Sequence, residues 1–320
     1  MKTDLLEVVR GAVQSEIDAL TYVKQFINDD FVKCATEILE AKGRVIVTGI
    51  GKSAIIAQKI VATFNSTGTP AIFMHAADAI HGDLGIIQDD DVVICISNSG
   101  NTPEITMLVP FLKRSGNKLI AIVGNVESFL AREADYIINC SVPNEACPNN
   151  LAPTNSTTAQ MVMGDALAAL LIEMRGFTAK DFAKYHPGGV LGKRLYMKVD
   201  DLYKLNDVPE VAPDASLKEV IYVISSRRLG VTAVTVDHKL VGAITDGDLR
   251  RMLEKNDQYL HLTAQDVMTH NPQHVFPDTL AVEALDIMRK KSITNLFVVS
   301  KDGDYLGVVH LHDIIREGIY

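Results

Sequence analysis

Short apolar runs alternate with helical stretches from about residue 44 to residue 174. The runs are typical of strands, because they are mostly β-branched and are separated by segments with apolar residues at helical spacing. Strands that are apolar on both faces belong in a parallel sheet that is covered by helices on both faces. We therefore predict an α/β domain with a five-stranded parallel sheet. The predicted strands are Arg44–Thr48, Ala71–Met74, Asp91–Ile96, Lys118–Val123 and Tyr136–Asn139.

Changes of pattern divide the 320 residues into segments. Apolar residues at helical intervals before residue 40 predict two helices that pack on the α/β domain. From about residue 197 the sequence repeats itself with a period near 65 residues, so that Gly242–Asp248 matches Gly307–Asp313. Two repeats of this size usually pack together, because neither buries enough apolar surface alone. We expect N-terminal helices at 1–40, the α/β domain at 41–195, and repeated α+β modules at 196–258 and 259–320.

Composition excludes several classes of protein. A net charge of -9 and an aromatic content of 6% argue against a nucleic-acid partner. The first residues lack the positive charge of a signal peptide, and no run of about 18 apolar residues follows, so we expect a cytoplasmic protein without membrane contact. The cysteines show no C-x-x-C spacing, and we expect buried, reduced thiols. They are Cys34, Cys95, Cys140 and Cys147.

The turn after the first predicted strand contains Gly49 and Gly51 and leads directly into a helix. The glycines let the backbone approach a ligand, and the helix N-terminus offers unpaired N–H groups to an anion. Ile46 stands where a Walker A loop needs its first glycine, which excludes that motif. The turn also fits the G-x-G-x-x-A form of the dinucleotide fingerprint, so a nucleotide-dependent oxidoreductase remains an alternative that NAD(H) binding would test.

The third predicted strand ends in a turn rich in hydroxyl groups. Ser97 and Ser99 alternate with Gly100, while Thr102 is placed to cap the next helix and Pro103 suits its first position. Ligands bind at the carboxyl ends of the strands in such sheets, where this turn and the glycine turn both lie. Hydroxyls and amides that converge on one point favour a phosphate monoester over a dinucleotide.

These two turns together resemble the signature of the SIS (sugar isomerase) domain. Further stretches resemble arabinose 5-phosphate isomerases, and the repeat is similar to paired cystathionine-β-synthase (CBS) modules. The stretches are Ser66–Pro70, Ala79–Gly85, Glu145–Pro148, Leu151–Thr154, Gly164–Leu167 and His186–Gly189. The resemblance implies a homotetramer that interconverts D-ribulose 5-phosphate and D-arabinose 5-phosphate through an enediolate. The product would feed synthesis of 3-deoxy-D-manno-octulosonate.

An aldose-ketose isomerisation needs a base, a cation or donor at the developing oxyanion, and an acid for ring opening, but no redox cofactor. The resemblance implies Glu145 as the base, Lys52 as the group that stabilises the enediolate, and His186, from a neighbouring subunit, as the ring-opening acid. Glu104 is a further catalytic candidate, and His81 replaces Glu145 as the base if that assignment fails. The implied substrate-binding residues are Gly49, Ser53, Gly68, Thr69, His81, Ser97, Asn98, Ser99 and Thr102.

The resemblance also implies a metal ligand. Zinc is expected to bind through His75 and to inhibit the enzyme rather than support catalysis. The spacing of His75 and His81 fits no structural zinc pattern.

In the repeats, Thr245 and Asp248 resemble the CBS pattern that binds a nucleotide ribose. The second copy keeps Asp313 but has His310 in place of the threonine. One nucleotide-type effector site is therefore expected. The alternative is that the repeats only stabilise an oligomer.

A sugar-phosphate-sensing regulatory protein without turnover is the alternative function, because SIS domains also serve as binding modules. Such regulators join the domain to a helix-turn-helix and a basic face, and neither is evident here. A sensor would also not need Lys52, Glu145 and His186 together.

Overall fold

A computed structural model describes residues 4–255 and 259–320, which fall into two compact units, one ending at Tyr185 and the other beginning at His186. The first unit contains a sheet with the strand order β2-β1-β3-β4-β5, in which all neighbours are parallel. This confirms the predicted five-stranded parallel sheet. Its strands are β1 (Val45–Gly49), β2 (Ala71–His75), β3 (Val92–Ser97), β4 (Lys118–Val123) and β5 (Tyr136–Asn139).

Helices cover both faces of this sheet. They are α1 (Leu5–Val23), α2 (Asp29–Glu40), α3 (Lys52–Ser66), α4 (Ala76–Ala79), α5 (Pro103–Ser115), α6 (Phe129–Glu133), α7 (Asn155–Arg175) and α8 (Ala179–Tyr185). Val45 and Val47 pack in a core with α2, α3 and α7, whereas Ile46 packs in a second core with α5 and α6. Successive side chains of a strand point to opposite faces, so the apolar runs fill two layers at once, as predicted.

Three of the four cysteines are buried and unpaired, as predicted, whereas Cys147 is only half-buried. Burial raises the pKa of the Cys95 and Cys140 thiols to about 12. Cys147 differs because backbone amides around Ala152 and Leu151 lower the pKa of its thiol.

The second unit contains the repeat. Its helices are α9 (Val190–Tyr196), α10 (Asp200–Tyr203), α11 (Leu217–Arg227), α12 (Asp246–Lys255), α13 (Ala264–Val267), α14 (Ala281–Lys291) and α15 (Leu311–Arg316). Its strands are β6 (Glu210–Val211), β7 (Val231–Val236), β8 (Lys239–Thr245), β9 (Thr269–His270), β10 (His274–Val275), β11 (Asn295–Val299) and β12 (Tyr305–His310). In each copy a short strand runs parallel to the first strand of an antiparallel pair, β7–β8 or β11–β12. This equivalence confirms the internal repeat.

The two modules exchange their opening segments. Val199 and Tyr203 pack in the core of the second module, and Ala264 packs in the core of the first. The exchange joins the two copies into one unit. The boundary predicted after residue 258 lies outside the described residues. Across the described part of the chain, no helix has both the length and the apolarity needed to cross a bilayer.

The crossing of α3 and α7 depends on Gly164. A Cβ at this position would lie 2.3 Å from Cδ1 of Ile60, which is fully buried. We expect Gly164→Ala to lower the thermal stability of the first unit, because overpacking costs about 1–3 kcal/mol. Gly11 is exposed on α1, and beyond the neighbouring backbone of its own helix no atom lies within 4 Å of its Cβ position. Gly11→Ala is the matched control and should stabilise the same unit by about 0.5–1 kcal/mol. Calorimetry that shows the two variants shifting in the same direction would contradict this packing.

Candidate active site

A pocket of about 350 Å³ opens at the carboxyl ends of β1 and β3. The chain continues from β1 to β2 on one side and reaches β3 on the other, so this edge is the switch point at which α/β sheets bind ligands. The lining consists of Ile50, Lys52, Ser53, Ile96, Ser97, Asn98, Ser99, Thr102, Pro153, Ser156, Thr157 and Gln160. The structure thus brings together six residues predicted from the sequence. These are Lys52, Ser53, Ser97, Asn98, Ser99 and Thr102.

The turn between β1 and α3 places main-chain atoms beside the pocket. Gly51 has a φ of +58°, in the region that favours glycine. A Cβ at Gly49 would lie 3.2 Å from the carbonyl oxygen of Ile96, so β1 and β3 approach closely here. Helix α3 begins at Lys52 and directs its first amides to this edge. The Lys52 cation opposes the helix dipole, and both groups favour an anionic ligand.

Three hydroxyl groups meet in the loop between β3 and α5. The Thr102 hydroxyl lies 3.1 Å from that of Ser97 and 3.4 Å from that of Ser99, and Ser97 also accepts a hydrogen bond from the Gly100 amide. Pro103 occupies the first helical position, as predicted. The prediction that Thr102 caps α5 is wrong in one respect, because its side chain makes no capping bond and bonds the serines instead. The hydroxyls are therefore gathered at the helix N-terminus, where they can surround a phosphate group.

Glu145 lies outside this lining, but its carboxylate holds the segment that forms one wall. Oε2 accepts hydrogen bonds from the amides of Thr154 and Ser156 at 2.7 and 3.1 Å, and from the Thr154 hydroxyl at 3.1 Å. Partial burial opposes ionisation of Glu145, but the polar groups of Ser156 and Thr154 outweigh it and lower the pKa of the carboxyl. The group is ionised at neutral pH, as a proton acceptor must be.

Gly68 and Thr69 are not brought to this pocket. They precede β2 and so lie at the amino ends of the strands, whereas the pocket lies at the carboxyl ends. There the Arg175 guanidinium donates hydrogen bonds to the Gly68 carbonyl and the Thr69 hydroxyl. In the single chain these two residues hold α7 against the start of β2, which differs from the predicted contact with substrate.

Four other predicted residues lie outside the lining. Gly49 is the last residue of β1, directly before Ile50 of the lining. His81 is exposed in the turn after α4, and Glu104 is half-buried in the first turn of α5. His186 opens the second unit, before α9. Their roles at the site stay predictions.

Three polar residues of the lining were not predicted from the sequence: Ser156, Thr157 and Gln160. Ser156 and Gln160 are fully buried and lie four residues apart on one face of α7. Further along the helix this buried face continues with Met163 and Leu167. The signal in the sequence was the presence of polar residues at helical positions that an apolar face would occupy.

Comparisons with known proteins agree with the resemblance to SIS and CBS domains. The SIS domain model matches residues 37–170, and the CBS domain model matches residues 199–255 and 264–320. The arabinose 5-phosphate isomerase KdsD of Pseudomonas aeruginosa is 46% identical over 318 residues, which cover 99% of this chain and 98% of that protein. KdsD of Escherichia coli K12 is 45% identical over 319 residues, which cover 99% and 97%. The chain belongs to the arabinose 5-phosphate isomerase family.

A solved structure of a relative carries a sugar phosphate. A protein of Escherichia coli CFT073 in complex with arabinose 5-phosphate is 42% identical and superposes with a TM-score of 0.56. The match covers 58% of this chain and 100% of that one. Family membership confirms the resemblance that the two strand-end turns and the repeat indicated.

The resemblance implies that zinc binds through His75, and few possible ligands lie around this residue. Nδ1 of His75 has no hydrogen-bond partner and lies 3.6 Å from a carboxylate oxygen of Asp78. Within the described ranges, no three histidine, cysteine or acidic residues come together as a metal site. Zinc binding at His75 stays a prediction.

The two CBS modules line a second pocket, with a volume of about 900 Å³. The predicted effector residues Thr245 and Asp248 line it. Its basic side chains are Arg228, Arg250, Arg251, His310 and His312. A cavity of this size with arginines at its wall suits a phosphorylated ligand.

The two equivalent aspartates of the repeat have different surroundings. Asp248 accepts hydrogen bonds from the amide and hydroxyl of Thr245 at 2.9 and 2.7 Å and borders the pocket. Asp313 instead accepts from the His310 amide at 2.9 Å and from the Asn206 side chain at 2.7 Å. It does not line the pocket, in contrast to its predicted role as an effector ligand. The asymmetry agrees with one effector site rather than two.

The hydrogen bonds to Glu145 predict a pH-dependent contribution to stability. Because the folded-state pKa is lowered, the ionised group stabilises the fold above its ordinary value of 4.5, and this contribution disappears as the pH falls through the lowered value. Glu145→Gln should be less stable than the parent at neutral pH, and the difference should shrink in acid. Thermal unfolding across the pH range measures this, with Glu127→Gln on the exposed surface as the control. A difference that does not change with pH would contradict it.

Proposed function

We propose that this protein interconverts D-ribulose 5-phosphate and D-arabinose 5-phosphate. The observation that carries the proposal is the pocket in which the hydroxyls of Ser97, Ser99 and Thr102 face the same cavity as Lys52. The match to the KdsD isomerases over 99% of the chain supports it. The product of this reaction is a precursor for 3-deoxy-D-manno-octulosonate synthesis.

The phosphate of the substrate would bind at the hydroxyl cluster. Amides at the starts of α3 and α5 complement its charge, and the three hydroxyls donate hydrogen bonds to its oxygens. The pocket volume of about 350 Å³ lies at the lower end of the range for small-molecule sites, as a five-carbon sugar phosphate requires. Anchoring the phosphate leaves the carbonyl end of the sugar free to reach the acid-base groups.

Proton transfer would then run between adjacent carbons. From ribulose 5-phosphate, Glu145 takes a proton from C1, and the electrons of that bond form the C1–C2 double bond of the enediolate. Lys52 stabilises the negative charge that develops on oxygen. The proton of the C1 hydroxyl then passes to the oxygen on C2, and Glu145 returns its proton to C2, which leaves the carbonyl at C1 and gives the aldose. His186 would open the ring, and Glu104 and His81 would bind hydroxyls.

The direct test is an assay for arabinose 5-phosphate after incubation of the purified protein with ribulose 5-phosphate. Ribose, xylulose and fructose phosphates serve as controls. Turnover of ribulose 5-phosphate in preference to the others supports the proposal. Binding without turnover would instead indicate a sugar-phosphate sensor, and tight binding of NAD(H) would indicate an oxidoreductase.

Replacement of the proposed base should abolish most of the activity. We expect Glu145→Gln to reduce kcat by about 10²–10⁴-fold, the usual contribution of a general base, while ribulose 5-phosphate still binds. Steady-state kinetics measure the change, and Glu127→Gln is the control that keeps full activity. Near-normal turnover of Glu145→Gln would remove Glu145 as the base and transfer that role to His81.

A nucleotide-type effector at the CBS pocket is the second part of the proposal. A nucleotide at about 100 times its Kd should stabilise the second unit by about 2.7 kcal/mol. The repeat offers a matched pair of variants, because Asp248 borders the pocket and Asp313 does not. We expect Asp248→Asn to lose the ligand-induced shift in Tm and Asp313→Asn to keep it. Equal loss in both variants, or no shift with any nucleotide, would contradict the effector site.

The remaining parts of the proposal rest on the family resemblance. They are a homotetramer, a cytoplasmic location, catalysis without a redox cofactor, and inhibition by zinc through His75.

A further inference from the structure

Two polar atoms in the wall of the active-site pocket lack a well-formed hydrogen bond. Ser156 Oγ and Gln160 Nε2 are buried, and both side chains belong to residues that are fully buried in α7. The Ser156 side chain helps to lower the pKa of the Glu145 carboxyl, but its hydroxyl makes no hydrogen bond of normal geometry. A buried donor without a partner destabilises the unliganded fold, because it has lost its hydrogen bonds to water and gained none in the protein. Both residues line the pocket, so a ligand that occupies it can supply the missing partners.

The orientation of the Gln160 carboxamide is set by α3. Ser53 Oγ donates a hydrogen bond to Gln160 Oε1 at 3.1 Å, which leaves Nε2 as the end without a partner. Gln160 lies one helical turn beyond Ser156, so the two side chains follow one another along the same face of α7. Together they form a polar strip on the α7 wall of the pocket.

We propose that Gln160 and Ser156 bind a hydroxyl group of the sugar chain, which makes them residues that determine substrate specificity. This inference rests on the proposed function. A carboxamide and a hydroxyl are neutral and can both donate and accept, which matches a sugar hydroxyl. The phosphate has its own partners in the hydroxyl cluster of Ser97, Ser99 and Thr102, which follows β3 at another part of the pocket wall.

The position of Ser156 also assigns this strip to the reacting end of the substrate. Its backbone amide donates to Glu145 Oε2 at 3.1 Å, while its side chain borders the pocket. A hydroxyl bound by Ser156 and Gln160 is therefore close to the segment that positions the proposed base. A site built to bond a hydroxyl rejects analogues that lack it, because its own buried groups then remain unpaired.

The test uses Gln160→Met in the full-length protein, because methionine has a similar shape and no donor. We expect the affinity for arabinose 5-phosphate to fall about tenfold, the effect of one lost hydrogen bond. Inorganic phosphate should bind with unchanged affinity, because its partners are elsewhere. The stability of the unliganded variant should change little, because removal of the unpaired buried donor offsets the loss of the hydrogen bond from Ser53. Gln58→Met, at an exposed position of α3, is the control and should change none of these quantities.

Several outcomes would overturn the proposal. Equal weakening of inorganic phosphate and sugar phosphate would place Gln160 at the phosphate, and unchanged affinity for both would show that it does not touch the ligand. Loss of stability in the unliganded variant, with affinity unchanged, would indicate a purely structural role.

Pentose phosphates that each lack one hydroxyl identify the bound group. The parent and Gln160→Met should bind one of these analogues with equal affinity, because that analogue lacks the hydroxyl that Gln160 bonds. These affinities are measured by calorimetry with both proteins in the Glu145→Gln background, in which turnover is slow. Absence of isomerase activity in the parent protein would therefore contradict the proposed function and leave this result standing.

Discussion

The parallel pairing of β1 with β3 is the constraint on which the active site depends. It places Gly49 opposite Ile96, so the turns that follow the two strands lie side by side. Both turns lead directly into helices, and their unpaired amides therefore converge on one small volume. The two apolar cores on either side of the sheet fix this geometry, because each strand is packed on both faces. An anion-binding site follows from the topology before any catalytic side chain is considered.

Helix α7 links the stability of the fold to the chemistry. Its first turn is held by the Glu145 carboxylate, its next turn presents Gln160 to the pocket, and farther along Gly164 allows close contact with α3. The same helix buries polar atoms that have no well-formed hydrogen bond in the free protein. Such groups destabilise the unliganded fold and become useful only when a ligand satisfies them. Helix α7 thus contributes both to the packing of the fold and to the wall of the pocket.

The strands of the first unit, and the fact that they are buried on both faces, could be predicted because both depend on local sequence patterns. The phosphate turn could be predicted from Ser97, Ser99 and Thr102, since hydroxyls follow a buried strand. Other features depend on contacts distant in sequence. The hydrogen bond between Ser53 and Gln160 joins two helices through residues that are 107 positions apart. Ala264 belongs to the second copy of the repeat but packs in the core of the first CBS module. Gly68 and Thr69 lie at the amino ends of the strands, away from the pocket, and a sequence motif alone does not show this position.

A crystal structure of the protein with arabinose 5-phosphate is the most direct measurement of whether this edge of the sheet is the isomerase site. It should show phosphate oxygens within hydrogen-bonding distance of Ser97, Ser99 and Thr102, and a sugar hydroxyl at Gln160. The carbonyl end should then point toward Glu145 and Lys52. Binding of the sugar phosphate elsewhere, with the β1–β3 pocket filled only by solvent, would contradict the assignment of the site and its mechanism.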